Sequence, residues 1–152
     1  MISPTHVVIF FVDEENKKIY LVEKDVSHKP HMSHLHLKLN GFGGGIEESD
    51  ANEYSAAKRE INEELELDLD EFEVIKQGIF ITSKGVVAVF RAKCNNSNIT
   101  KLKVGYIKGE GEANWYDFNY ILQHPSLIPI AYDELYQKLF TNEINFSLDL
   151  GN

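Results

Sequence analysis

Glu60, Glu63 and Glu64 stand three and four residues apart in the run KREINEELEL, and Glu66 follows closely. In a helix such residues share a face, so each like-charged pair costs roughly 0.2–0.5 kcal/mol, and the negative C-terminal end of the helix dipole adds to the cost. A hard dication relieves the repulsion. Several carboxylate oxygens projecting from one rigid helix suit Mg²⁺ or Mn²⁺, which take oxygen ligands and keep positions for water or substrate phosphate. On spacing alone, a solvated acidic face is the plainer explanation, because charged helical surfaces are common. The glycines Gly43, Gly44 and Gly45, just ahead of the helix, shift that balance. A backbone without side chains can bring its carbonyl and N–H groups close to a helix and to a bound phosphate, although a tight strand-to-loop turn would use the same residues.

The acids need a framework that holds them. At about 100° per residue, Arg59, Glu60, Glu63 and Glu64 fall within an arc of roughly 140°, with Tyr54, Ala57, Ile61 and Leu65 on the adjoining arc. The pattern predicts an amphipathic helix over about Asp50 to Leu65, opened by Asp50 and Glu53 in a D-x-x-E capping arrangement. Ahead of it, Val7 to Val12 and Lys18 to Glu23 read as an antiparallel hairpin, followed by a polar stretch and a short strand in LKLNGFGGG. Two further strands are expected in EFEVIKQGIFITS and GVVAVFRAKC, joined near Ser83, Lys84 and Gly85, with NNSNITK as a polar loop. NWYDFNYILQ reads as a strand turning into a short helix. Ile130, Leu135 and Leu139 have helical spacing after Pro129, and NFSLDLGN reads as a mobile or edge segment. Strands mixed with two main helices indicate an α+β chain with a mixed or antiparallel sheet.

Composition narrows the function classes. The chain has 152 residues, 43% of them hydrophobic, which is enough for one domain spanning 1–152 with a real core. A formal charge of −9, from 24 acidic against 15 basic side chains, opposes attraction to a nucleic-acid polymer or an anionic membrane. Cys94 is the only cysteine, so no internal disulfide forms, and the apolar run near the N-terminus is too short to span a bilayer. A cytoplasmic protein is expected, and a homodimer is compatible with the chain. His28, His31, His34 and His36 match no closed zinc motif and lack cysteine partners, so they read as a polar loop with at most one substrate contact.

Gly45 to Leu67 resembles the Nudix box: a glycine, five residues, a glutamate, seven residues, then Arg-Glu-apolar-x-Glu-Glu-x-Gly-apolar. Gly45, Arg59, Glu60, Ile61, Glu63, Glu64 and Leu67 occupy matching positions. Ala51 replaces the first glutamate and Glu66 the late glycine. Neither change removes the metal-binding core, although the helix is expected to end later or close differently at Glu66, and Glu48 or Glu53 is expected near the space of the missing acid. The resemblance implies an α/β/α sandwich with a mixed central sheet over about residues 5–140. It implies hydrolysis of a nucleoside diphosphate-linked substrate with Mg²⁺ or Mn²⁺ as cofactor. Glu60, Glu63 and Glu64, with the Gly44 carbonyl, would hold the metal, and Arg59 would orient them. Gly43 and Gly45 would border the phosphates. A further acid is expected ahead of Trp115: Glu112 first, Glu110 second. LNGFGG resembles the oxidised-purine triphosphatases, where the residue matching Asn40 holds the base, although Asn40 equally suits a turn cap. The acidic pair such enzymes carry after Trp-Pro has no counterpart at Ile130 and Ala131. A noncatalytic Nudix-fold nucleotide-binding or regulatory domain is the second reading, for which Ala51 and Glu66 speak.

Overall fold

The computed structural model describes residues 3–151, so Asn152 of the terminal segment lies outside it. β1 (His6–Asp13) and β2 (Lys18–Lys24) form the expected antiparallel hairpin. Every residue of β1 after His6 is buried. That requires cover on both faces and explains why its sequence is continuously apolar rather than alternating. The sheet supplies neighbours on both edges. β2 is followed outward by β8 (Gly111–Asp117) and β7 (Gly105–Ile107). On the other side β1 pairs in parallel with β6 (Gly85–Lys93), which is followed by β5 (Glu73–Thr82) and β9 (Phe146–Asp149). β3 (Leu39–Asn40) adds to β2, and β4 (Phe42–Gly45) adds antiparallel to β1. The mixed sheet is as anticipated, and the terminal segment contributes an edge strand.

Helices cover the two faces. α1 (Glu53–Leu65) sets Ala56, Ala57 and Ile61 against Val7, Ile9, Phe11 and Phe42. α2 (Phe118–Gln123) and α3 (Asp133–Thr141) set Phe118, Ile121, Leu135, Tyr136 and Leu139 against Phe10, Val12, Ile19 and Leu21. Full burial of each large apolar side chain contributes about 1.5–3 kcal/mol, so the alternation along β1 fixes both layers at once. Buried Arg91 donates to the Leu139 carbonyl at the C-terminal end of α3 and pairs with Glu14 at 3.0 Å. This satisfies an orphan helix carbonyl with a favourable charge.

Three expectations about helix boundaries change. α1 begins at Glu53, capped by Asn52, whose side chain accepts from the Ser55 N–H at 2.8 Å. Glu53 instead pairs with Lys76 at 2.7 Å, and Asp50 serves elsewhere. Ile130 lies outside α3 and is 81% exposed, because Ala131 adopts a left-handed φ of 72° that breaks the helical path before Asp133.

At its other end α1 does not run on. Glu66 takes the left-handed exit a glycine would take, with φ 57° and ψ 36°, and its N–H reaches the Asn62 carbonyl at 3.0 Å. A Cβ in that conformation is strained, so Glu66→Gly raises stability by about 1 kcal/mol in urea denaturation. An unchanged or lower midpoint would mean that the Glu66 side chain contributes as much as the strain costs.

Candidate active site

β4 brings the glycines to α1. A Cβ on Gly43 would lie 2.0 Å from the Val7 carbonyl oxygen, so glycine there is required by the close approach to β1. A Cβ on Gly44 would lie 2.5 Å from Glu60 Oε1, in the space between strand and helix acid. The Gly45 carbonyl accepts from Arg59 at 2.9 Å.

Arg59 fastens the loop to the helix. Its Nε and Nη2 grip both oxygens of Asp50 at 3.0 and 2.9 Å, and its Nη1 reaches Glu60 Oε1 at 3.0 Å and Glu63 Oε1 at 2.8 Å. The planar guanidinium fork suits such multiple, charge-assisted bonds. Asp50, above all through the Arg59 bond, is held below the usual carboxylate range. Asp50 therefore supports Arg59 where the missing acid at Ala51 suggested a gap. Neither Glu53, paired with Lys76, nor Glu48 makes this contact; Glu47 comes within 3.5 Å. The signal available in the sequence was an acid nine residues before Arg59, and a capping reading absorbed it.

Glu64 is the unusual member. Its Oε1 is buried without a hydrogen-bond partner. Burial, then the nearby Glu110, pushes its carboxyl up to about 9. Glu60 is also raised, chiefly by burial. Glu63 is more open, with its side chain 53% exposed.

Glu110 sits in the turn between β7 and β8. Its Oε1 is 2.9 Å from Lys24 Nζ, both side chains are largely buried, and it adjoins Glu64. Glu112 does not join this group. Ala113 and Trp115 of β8 face the α1 layer, so strand alternation sends Glu112 to the other side, where it is exposed opposite Tyr106 and Glu23. Of the two loop acids, Glu110 rather than Glu112 is thus the one beside the helix acids, and nothing in the local sequence marked Lys24 as the partner that holds it. Glu110→Gln should lower kcat about tenfold through lost positioning, with Glu112→Gln close to the unsubstituted protein. Steady-state kinetics on the pair decide it: equal kcat for both variants would remove Glu110 from the site.

These residues fit a hard cation. The donors are all oxygen, the Gly44 cradle has no Cβ, and a buried carboxylate oxygen lacks a partner. Among the described residues no three histidines, cysteines or acids converge closely enough to form a metal cage by themselves.

Asn40 lies apart from the acids. It is buried, and its side-chain oxygen accepts from the Gly41 N–H at 2.8 Å, the turn-stabilising role. It also lies against the Tyr132 hydroxyl, which burial pushes up to about 12. Tyr132 lines a cavity of about 500 Å³ with Phe80, Val87, Ile130, His6 and His34. His31 lines the same cavity. His36 accepts from the Val26 N–H at 3.2 Å, a structural role.

The family model described as the NUDIX domain matches residues 3–139. Among solved structures, the chain is similar to a mutator MutT protein from Bacillus halodurans at 17% identity, covering 95% of this chain and 87% of that one with a TM-score of 0.66. It is similar to a mutT/nudix family protein from Listeria innocua at 17% identity, covering 93% and 94%, TM-score 0.64. The dihydroneopterin triphosphate pyrophosphohydrolase of E. coli aligns at 14% identity over 93% and 97%, TM-score 0.63. At such identities the likeness is one of fold. No curated protein matches the chain in sequence.

Proposed function

The chain belongs to the Nudix family, and we propose that it is a metal-dependent pyrophosphohydrolase acting on a nucleoside diphosphate-linked substrate, with a nucleoside triphosphate included in that class. The observation that carries this reading is the Arg59 network: one guanidinium ties Asp50, the Gly45 carbonyl, Glu60 and Glu63 together beside the unpartnered oxygen of Glu64.

Glu60, Glu63, Glu64 and the Gly44 carbonyl would hold Mg²⁺ or Mn²⁺. When bound, the ion would neutralise the pyrophosphate, polarise the attacked phosphorus and lower the pKa of the attacking water. The protein's own part is positional. Arg59 keeps the acids from splaying apart, Glu64 must give up its proton to become a ligand, and Lys24 holds Glu110 toward the same space. Gly43 lets β4 lie tight on β1, and the bare Gly44 leaves the space beside the Glu60 carboxylate open.

The non-phosphate moiety would enter the 500 Å³ cavity. His6, on its wall, is paired with Gly45 across the β1–β4 ladder, while Phe80, Val87 and Tyr132 belong to the core under α3, on the face of the sheet opposite α1. Its apolar walls accept the face of a base, and Asn40 stands behind Tyr132. The His34 imidazole is held below its usual pKa by burial and by Lys84, so it is neutral near pH 7. We place the protein in the cytoplasm, where its single, buried Cys94 stays reduced. No helix among the described residues is long and apolar enough to cross a membrane.

Purified protein with Mg²⁺ or Mn²⁺, screened against dNTPs, ADP-ribose, dinucleoside polyphosphates, NADH and nucleotide sugars, should release phosphate, pyrophosphate or a nucleoside monophosphate from at least one of them. No turnover with either ion across that panel would reject the hydrolase reading.

A further inference from the structure

A second cavity, of about 430 Å³, opens at the C-terminal end of α1. Glu63, Glu64 and Glu66, from the end of α1, and Lys101, Lys103 and Lys108, from the segment leading into β7 and its turn, line it together. Lys101 pairs with Glu71 at 3.1 Å. Lys103 and Lys108 are exposed and, among the described residues, within ion-pairing distance of no carboxylate.

Both lysines stand on fixed backbone. The Lys103 carbonyl accepts from the fully buried Tyr20 hydroxyl at 2.5 Å. Lys108 belongs to the β7–β8 turn, which Glu110 fastens to Lys24. A chain of net charge −9 repels anions at long range, so two unpaired cations lining the same cavity as Glu63 and Glu64 form a local exception.

We propose that this cavity is a second phosphate site, which receives the phosphoryl group lying beyond those carried at the helix carboxylates. The inference rests on the hydrolase reading and deepens it: the substrate class is nucleotides with an extended phosphate chain, rather than diphosphates bridged to a neutral group. Geometry supports the order. From Glu60 to Glu64 the helix advances about 6 Å, so a phosphate chain laid along the acids from Gly44 runs toward the lysines. Each ammonium is a point charge with three donors, and a terminal phosphate adds a Coulomb attraction that a neutral sugar does not offer.

Calorimetric titration with inorganic pyrophosphate and tripolyphosphate, each with saturating Mg²⁺, tests the proposal. The unsubstituted protein should bind tripolyphosphate about tenfold more tightly than pyrophosphate, which corresponds to one charge-assisted contact. The double variant Lys103→Ala, Lys108→Ala should lose most of that preference, and the Arg counterparts should keep it. If the double variant does not fold, the single variants Lys103→Gln and Lys108→Gln should each reduce the preference. An unchanged ratio in the variants would overturn the proposal, because lysines that merely offset the acidic helix end would alter both ligands alike. Equal or absent binding of the two chains by the unsubstituted protein would overturn it as well. The nucleotide screen separates the two readings. A lysine-dependent preference without any nucleotide turnover leaves the phosphate site standing and the hydrolase reading rejected, and turnover without the preference does the reverse.

Discussion

Glu64→Gln lowers turnover by orders of magnitude while leaving the melting temperature in chelator close to that of the unsubstituted protein. The two halves of this expectation have one cause. With its carboxyl pushed up to about 9, Glu64 is protonated near pH 7 in the absence of a cation, and glutamine has nearly the same shape and the same lack of charge. Stability without metal therefore changes little. Binding of Mg²⁺ requires the ionised carboxylate, which glutamine cannot supply, so the metal-held charge stabilisation in the transition state is lost. Calorimetry should also show that Mg²⁺ raises the melting temperature of the unsubstituted protein and scarcely moves that of the variant, since only a ligand bound to the folded state stabilises it. Wild-type kcat in Glu64→Gln would remove this residue from the metal site.

Mg²⁺ affinity should rise about tenfold per pH unit between about pH 6 and 9 and level off above, because metal must displace the Glu64 proton. The sign follows from the direction of the shift. The unfolded carboxyl ionises near 4.5 and the folded one near 9. Without metal, the Glu64 contribution to stability is fully present below about pH 4.5 and is lost as pH rises toward 9. A bound cation reverses that trend by favouring the ionised form, so the metal-induced shift in melting temperature grows with pH. Isothermal titration at four pH values checks it. A flat profile would mean that Glu64 is already ionised or is not a ligand, and Glu64→Gln should flatten the profile to the extent that Glu64 causes it.

The parts of this site legible in the sequence are those dictated by local periodicity. The helical spacing of Ala57, Ile61 and the three glutamates placed a packed face beside an acidic one, and α1 has both. The alternation and apolar runs of β1, β2, β5 and β6 likewise located the sheet. What escaped was set by contacts between distant segments. Asp50 looked like a helix cap because its neighbours fit that pattern, yet Asn52 takes the cap and leaves Asp50 free for Arg59. Glu112 was preferred to Glu110 on its distance from Trp115. The register of β8 against β2, which decides the facing of each side chain, is invisible in either strand alone. Ile130 obeyed the helical period but fell beyond a left-handed residue that no spacing announces. The family assignment, by contrast, needed only the box, and the matched domain spans residues 3–139.

The parallel pairing of β1 with β6 has a consequence for how the chain is made. His6 lies opposite Val87 and Val12 opposite Lys93, so the middle of the sheet joins segments far apart in synthesis. The β1–β2 hairpin leaves the ribosome before β6 does. Its first strand, apolar on both faces, then waits with one edge and both sides uncovered until β6 and the helices have followed. Closing so large a loop before any reward of contact slows folding, and an open apolar strand is a template for pairing with another chain. The nascent protein therefore passes through a period of aggregation risk that lasts until β6 has docked and α2 and α3 cover the second face, and a translation pause between α1 and β6 lengthens it.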